Sequence, residues 1–222
     1  MKRARISRGR SALRKLKRLF PHAGMMLRYS NNWELLVAVE LSAQCTDKKV
    51  NEVTSKLFAR YPRFLDYLGA DPKEFERIVR PTGFFRVKTK NILAAARYLH
   101  KYHGGNLPKT IDEMLKIPGV ARKTANVVLG NAYGVVEGIA VDTHVKRLSR
   151  LLGFTDEERP ENIERDLMEI FPRREWFKLT YYLIEYGRKY CPARPHDGAR
   201  CPLGHSDPYH LSMNLSIKRT SS

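Results

Sequence analysis

No stretch of this chain stays apolar for anything near the roughly 20 residues that a membrane-spanning helix requires, and no such helix is expected. The N-terminus likewise lacks the apolar segment that follows the charges of a signal peptide, so a secretory route is not expected. Cysteine is scarce: Cys45, Cys191 and Cys201 form an odd set of three. Without a secretory signal they point to a reducing compartment and no structural disulfide. Acid is missing from residues 1–20, where Lys2, Arg3, Arg5, Arg8, Arg10, Arg14, Lys15, Lys17 and Arg18 stand without an Asp or Glu. Period-two alternation is missing as well, so the expected fold class is all-α.

What the chain does have is positive charge. Its 41 Lys and Arg oppose 23 Asp and Glu, a net charge of +18. Such an excess implies a polyanionic partner, and nucleic acid fits better than a membrane surface. A soluble protein with a merely basic surface is the alternative. The N-terminal basic run is read as a partly disordered tail that enters a helix near residues 11–19; a DNA-gripping arm and a targeting segment are other readings. With 222 residues, 42% of them hydrophobic, the chain can bury one large core or two small ones.

Helical period recurs almost throughout. Asn32 is placed to cap a helix carrying Leu35, Leu36, Val39 and Ala43, and Asp47 opens another with Val50, Val53 and Leu57 on one face. Asp71-Pro72-Lys73-Glu74 is a helix start with Pro at the first position. Ile92, Ala95, Ala96 and Leu99 form an apolar stripe that stops at Gly104-Gly105. Thr110 with Glu113 reads as a capping box. Further helices are expected over 143–152, 161–171 and 174–190.

The segment Leu115-Lys116-Ile117-Pro118-Gly119-Val120-Ala121-Arg122-Lys123-Thr124-Ala125-Asn126 carries the most information. Pro118-Gly119 breaks the helix that begins at Thr110, and a second helix with a basic first turn starts at once. Amides at such a helix start form a ready anion site, and phosphate is the commonest anion of that size. Lys123 in this turn suits a nucleophile or a phosphate clamp. Downstream, Val141-Asp142-Thr143-His144 offers a carboxylate that also suits an N-cap.

These two segments, with Glu34-Leu35-Leu36-Val37-Ala38-Val39-Glu40-Leu41-Ser42-Ala43-Gln44-Cys45-Thr46-Asp47, resemble the endonuclease III family of helix-hairpin-helix DNA glycosylase/AP lyases. The resemblance covers residues 29 to about 205. It implies two helical lobes flanking a cleft, one spanning 25–135 and the other combining 1–24 with 136–222. It implies a soluble monomer acting on double-stranded DNA with a damaged base or abasic site. The expected location is the cytoplasm, at nucleoid DNA, or the nucleus or mitochondrion if the source is eukaryotic.

By the same resemblance Lys123 is the nucleophile that attacks C1′ and forms a Schiff base, and Asp142 takes its proton or steadies charge on the sugar. Cleft desolvation, the helix start and Arg122 would each help to deprotonate Lys123. The target nucleotide must be flipped out. Gln44 would enter the vacated stack and Phe84 would wedge from the other side, although the family expectation at 84 is aliphatic. As plain sequence, Gln44 reads as a polar helix end and Phe84 as a core aromatic. DNA contacts are expected from Gly119, Ala121 (often Gly in such hairpins), Arg122, His144, Lys146 and Arg147. The carbonyls of Leu115, Ile117 and Val120 could hold a monovalent cation that helps bind phosphate.

Many family members end in a four-cysteine loop, spaced C-x6-C-x2-C-x5-C, that binds a [4Fe-4S] cluster. On that spacing Cys191 and Cys201 match the first and third ligands, while Gly198 and Asp207 stand at the other two. The degenerate loop falls at 187–207. No cluster and no other metal is expected, because two thiolates cannot hold a cubane that takes four. Zinc on Cys191, Cys201 and two of His196, His205 and His210 is the lesser alternative; loop packing and hydrogen bonds are the favoured replacement. Cys45 is read as a small packed residue. Excision of oxidised pyrimidines is the expected activity, against mismatch removal of thymine or uracil, or a non-catalytic DNA-binding protein.

Overall fold

The computed structural model describes residues 2–194, 196–198 and 201–204. His205, Asp207 and His210 lie outside the described residues. In chain order the helices are α1 (Lys2–Leu19), α2 (Asn32–Leu41), α3 (Asp47–Arg60), α4 (Pro72–Val79), α5 (Phe85–His103), α6 (Ile111–Met114), α7 (Arg122–Tyr133), α8 (Thr143–Leu151), α9 (Pro160–Ile170) and α10 (Arg173–Lys189). Single 3-10 turns occupy Phe64–Tyr67 and Arg80–Thr82. Among the described residues there is no strand, and the fold is all-α. None of these helices is long and apolar enough to cross a membrane.

The chain divides into two compact units, Met25–Glu137 and Met1–Gly24 with Gly138–Ser222. In the middle unit α2 is the central strut. Trp33, Leu35, Leu36, Val37, Ala38, Val39 and Leu41 are all buried, so the helix is apolar almost all round, as an interior helix must be. It packs on α3, α5 and α7. Asn31, one residue earlier than the sequence suggests, is its N-cap: Asn31 Oδ1 accepts the Glu34 N–H at 2.9 Å. Asp71 caps α4 with Pro72 behind it, and Gly104 ends α5 at φ 58°, both as expected. At Thr110 only half of the capping box forms. Its Oγ1 accepts the Glu113 N–H at 3.4 Å, while the Glu113 carboxylate turns to Lys116.

The second unit corrects the reading of the N-terminus. Helix begins at Lys2 rather than near residue 11, and Gly9, Ala12, Leu13 and Leu16 are buried against a core that includes Val145, Leu148, Phe154, Ile163, Leu167 and Leu183. The basic run is stabilised by acids distant in sequence. Arg5 pairs with Asp156 and Asp166, Lys2 with Glu169 at 2.8 Å, and Lys17 with Glu175 at 2.8 Å. Arg8 Nη1 also donates to Gly153 O at 3.1 Å. Lys2–Glu169 is solvent-exposed and contributes little by itself, whereas Glu175 and Asp166 are largely withdrawn from water; the buried apolar stripe holds the helix and the pairs orient it.

Leu16 is fully buried. Replacing Leu16 with Ala should therefore cost about 2–4 kcal/mol in chemical denaturation, the range for a core leucine. A loss under about 0.5 kcal/mol, the size of an ordinary surface substitution, would mean that α1 is not part of the core.

Candidate functional site

The hairpin that leads to Lys123 is tighter than two full helices. α6 is a single turn, and the chain then tightens through i→i+3 bonds from Lys116 N–H to Glu113 O (3.2 Å), Ile117 N–H to Met114 O (3.1 Å) and Val120 N–H to Ile117 O (3.1 Å). Ile117 and Val120 anchor the turn in the core. Gly119 takes φ 87°, and a β-carbon there would lie 2.8 Å from Asn91 Cβ on α5. Only glycine meets both conditions. α7 then starts behind Ala121, which offers no side-chain acceptor, and its first turn contains no acid. Gly119, Ala121, Arg122 and Lys123 are all exposed at this helix start. Partial positive charge of the helix end and two cations meet on one surface, which favours an anion.

A carboxyl group that feels the Lys123 charge was not singled out by sequence reasoning. Glu40 sits near the end of α2, and its burial pushes the carboxyl pKa up to about 7 even though Lys88 and Lys123 both pull it down. The signal was in the sequence as the one acid between Leu35 and Leu41. Lys88, in turn, is a buried lysine on α5. It donates to Leu41 O at 2.8 Å and to Thr82 O at 2.9 Å. Burial holds its pKa below the ordinary lysine value.

Gln44 and Phe84 share an unusual feature. They are the non-glycine residues with left-handed backbone among the described residues, at φ 54° and 47°. Both are exposed, and Phe84 is 64% exposed, which removes the core-aromatic reading for it. Gln44 lies in the turn between α2 and α3, and Phe84 is the N-cap of α5. A large exposed aromatic in a strained turn is costly to keep in a soluble protein, and strain of this kind gathers at functional sites.

In the other unit Asp142 is the N-cap of α8: its Oδ1 accepts the Val145 N–H at 2.8 Å, which fixes the carboxylate. His144 and Lys146 follow in the first turn, both part-exposed. α10 passes very close to His144, since a β-carbon at Gly187 would lie 2.5 Å from its Nδ1. Arg147 reaches the C-terminal loop: its Nη2 donates to Cys191 O at 2.6 Å and its Nη1 lies 3.7 Å from Cys191 Sγ.

That contact belongs to the degenerate cysteine loop. Cys191 and Cys201 are buried and unbridged. Cys201 Sγ donates to Tyr190 O at 3.0 Å, and its thiol is pushed up to about 11, chiefly by burial. Leu203 N–H donates to the Tyr186 hydroxyl at 3.1 Å, and Lys15 Nζ to Pro202 O at 3.3 Å. His196 Nε2 lies 3.3 Å from Cys201 Sγ. The ligand atoms of Cys191, His196 and Cys201 lie within 4.8 Å of one another, so this group could hold a metal ion. Two thiols and an imidazole do not fit a four-thiolate cubane.

HhH-GPD superfamily base excision DNA repair proteins match residues 37–173, a segment that contains Gln44, Phe84, Lys123 and Asp142. Endonuclease III of Synechocystis sp. is 47% identical over 193 residues, which cover 87% of this chain and 88% of that protein. The chain belongs to the endonuclease III family. Its fold matches a non-covalent endonuclease III–DNA complex with a TM-score of 0.88 and 40% identity, covering 93% of this chain and 96% of that one. A trapped endonuclease III–DNA covalent intermediate, an estranged-adenine complex, matches equally well, with a TM-score of 0.88, 40% identity and coverage of 92% and 96%. Cys191 and Cys201 fall outside the matched family segment, and there this endonuclease III relative departs from the four-cysteine pattern.

The raised Glu40 pKa has a thermodynamic consequence. A carboxyl that titrates near 7 when folded and near 4.5 when unfolded favours the folded state below pH 4.5, and that contribution is lost as pH rises to 7. Glu40→Gln should therefore be more stable than wild type at pH 8, by about 1–2 kcal/mol after screening, and nearly equal to it at pH 4. Denaturation at the two pH values checks this; equal differences at both would refute a buried, raised carboxyl.

Proposed function

We propose that this chain is a bifunctional DNA N-glycosylase/AP lyase of base-excision repair that removes oxidised pyrimidines of the thymine glycol type from duplex DNA. The observation that carries the reading is Lys123, exposed in the uncapped, acid-free first turn of α7, in a chain of the endonuclease III family. A covalent intermediate with DNA, of the kind named for one similar structure, is what such a lysine forms.

The chemistry follows from the groups present. The Lys123 amine, once deprotonated, attacks C1′ of the flipped nucleotide; the glycosidic C–N bond breaks and the base leaves with the electron pair. The ring-opened sugar then carries an imine to Nζ. Loss of a C2′ proton and cleavage of the C3′–O bond eliminate the 3′ phosphate, which nicks the strand, and water releases the lysine. The Asp142 carboxylate, held by its cap bond, accepts the ammonium proton or stabilises positive charge on the sugar as the base departs. Gln44 and Phe84 fill the vacated stack. Gly119 and Ala121 amides, with Arg122, His144 and Lys146, bind phosphates; Arg147 acts through the Cys191 loop. A monovalent cation on the Leu115, Ile117 and Val120 carbonyls would assist the hairpin.

Borohydride trapping on duplexes carrying thymine glycol, an abasic site, or uracil opposite guanine tests the whole reading. Wild type should give a covalent adduct on thymine glycol and on the abasic site, and Lys123→Ala should give neither. Trapping that persists in Lys123→Ala would overturn the nucleophile. Trapping on uracil opposite guanine in place of thymine glycol would favour the mismatch reading, and tight binding with no adduct a non-catalytic module.

In this reading the cysteine loop works without a [4Fe-4S] cluster, supported by the Arg147, Tyr186 and Lys15 contacts. Purified protein should then contain no acid-labile sulfide. Stoichiometric iron and sulfide would refute this, whereas one zinc per chain would identify the Cys191, His196 and Cys201 group as its site.

A further inference from the structure

Lys88 is among the least expected residues in the middle unit. It is only 5% exposed. A buried ammonium is expensive, and a methionine would fill the same volume at no electrostatic cost. Its contacts show what the charge does. One N–H of Nζ donates to Leu41 O at 2.8 Å, the carbonyl that ends α2 three residues before Gln44. Another donates to Thr82 O at 2.9 Å, two residues before Phe84. The Lys88 backbone N–H donates to Phe84 O at 3.1 Å, and the Thr82 hydroxyl donates to Val79 O at 2.8 Å, fixing the second loop from its other side. One side chain therefore ties together two turns that are remote in sequence.

Those two turns hold Gln44 and Phe84 in left-handed backbone. A non-glycine residue stays in such a conformation only where its surroundings over-determine it. Charge-assisted bonds from one ammonium to a carbonyl in each strand of chain supply that constraint, and they are stronger than neutral bonds. They also satisfy a carbonyl at the end of α2 that has no partner within the helix.

We propose that Lys88 is a positioning residue that locks the Gln44 and Phe84 turns in one register, so that both side chains enter the emptied base stack as a single rigid wedge. The proposal rests on the wedge roles given to Gln44 and Phe84 above. It does not involve the reacting atoms, so it acts only where there is a stack to fill.

Duplex and single-stranded abasic oligonucleotides separate these cases, because a single strand leaves no stacked gap to plug. Lys88→Met should lower the ratio of duplex to single-strand nicking by at least about tenfold, a cost of about 1.4 kcal/mol at the duplex step. In the Gln44→Ala, Phe84→Ala background the same substitution should change the ratio little, since Lys88 works through those two residues. Lys88→Gln keeps a donor but reaches only one carbonyl, and it should give an intermediate ratio if Lys88→Met does not fold. An unchanged ratio in Lys88→Met, an unchanged ratio in Lys88→Gln, or losses that add fully to those of the double variant would each overturn the clamp. If Gln44→Ala, Phe84→Ala alone leaves the ratio unchanged, the wedge itself is refuted and the clamp falls with it. Trapping of Lys123 on the abasic site would still stand in that case.

Discussion

The burial of α2 is the constraint on which the middle unit depends. A ten-residue helix with Leu35, Leu36, Val37, Ala38 and Leu41 all withdrawn from water has no free face, so its neighbours must surround it. α7 is one of those neighbours and brings Lys123 with it; α5 is another and brings Lys88. The chain leaving α2 becomes the Gln44 turn. Lys123, the turn that carries Gln44 and the helix that follows Phe84 are thus placed by the packing of one apolar rod. Substitutions inside α2 would be felt at the site without touching DNA.

Charge is arranged against that apolar background in two distinct ways. At the surface, Arg122 and Lys123 stand at a helix start where the dipole adds to their field. Inside, Glu40 and Lys88 are both disfavoured as ions by burial, in opposite directions on the pH scale. Each is tolerated for a different reason. Lys88 has two carbonyls to hold, and Glu40 has two lysines to face. The helix start that carries Arg122 and Lys123 is thereby backed by a small internal set of charges.

Local rules in the sequence were enough for much of this. Asp71-Pro72 and Gly104 mark helix ends through backbone chemistry that involves few residues, and Pro118-Gly119 marks the hairpin in the same way. Lys123 and Asp142 stand out in the sequence because their segments are specific, and they fall at the start of α7 and at the N-cap of α8. What could not be read was anything that depends on distant partners. Residues 2–10 look like a tail until Asp156, Asp166 and Glu169 come beside them. Arg147 gives no sign in the sequence of its bond to Cys191 O, 44 residues away. Lys88 looks like one more solvated lysine on α5, since its stripe position carries no hint of the two carbonyls. The left-handed turns at Gln44 and Phe84 were hidden too, because nothing in Gln or Phe favours that conformation.

The pairing of α1 with α9 and α10 also sets an order on the ribosome. Synthesis runs from the N-terminus, so α1 emerges before its partners: the acids and core residues that complete its unit lie beyond Gly138. The middle unit, encoded as one unbroken stretch, can close before they exist. A strongly basic, half-apolar helix must therefore wait, unpaired, beside a polyanionic machine for more than half of the chain's elongation. Once the middle unit has closed, α1 is the part of the nascent chain still waiting for its partners.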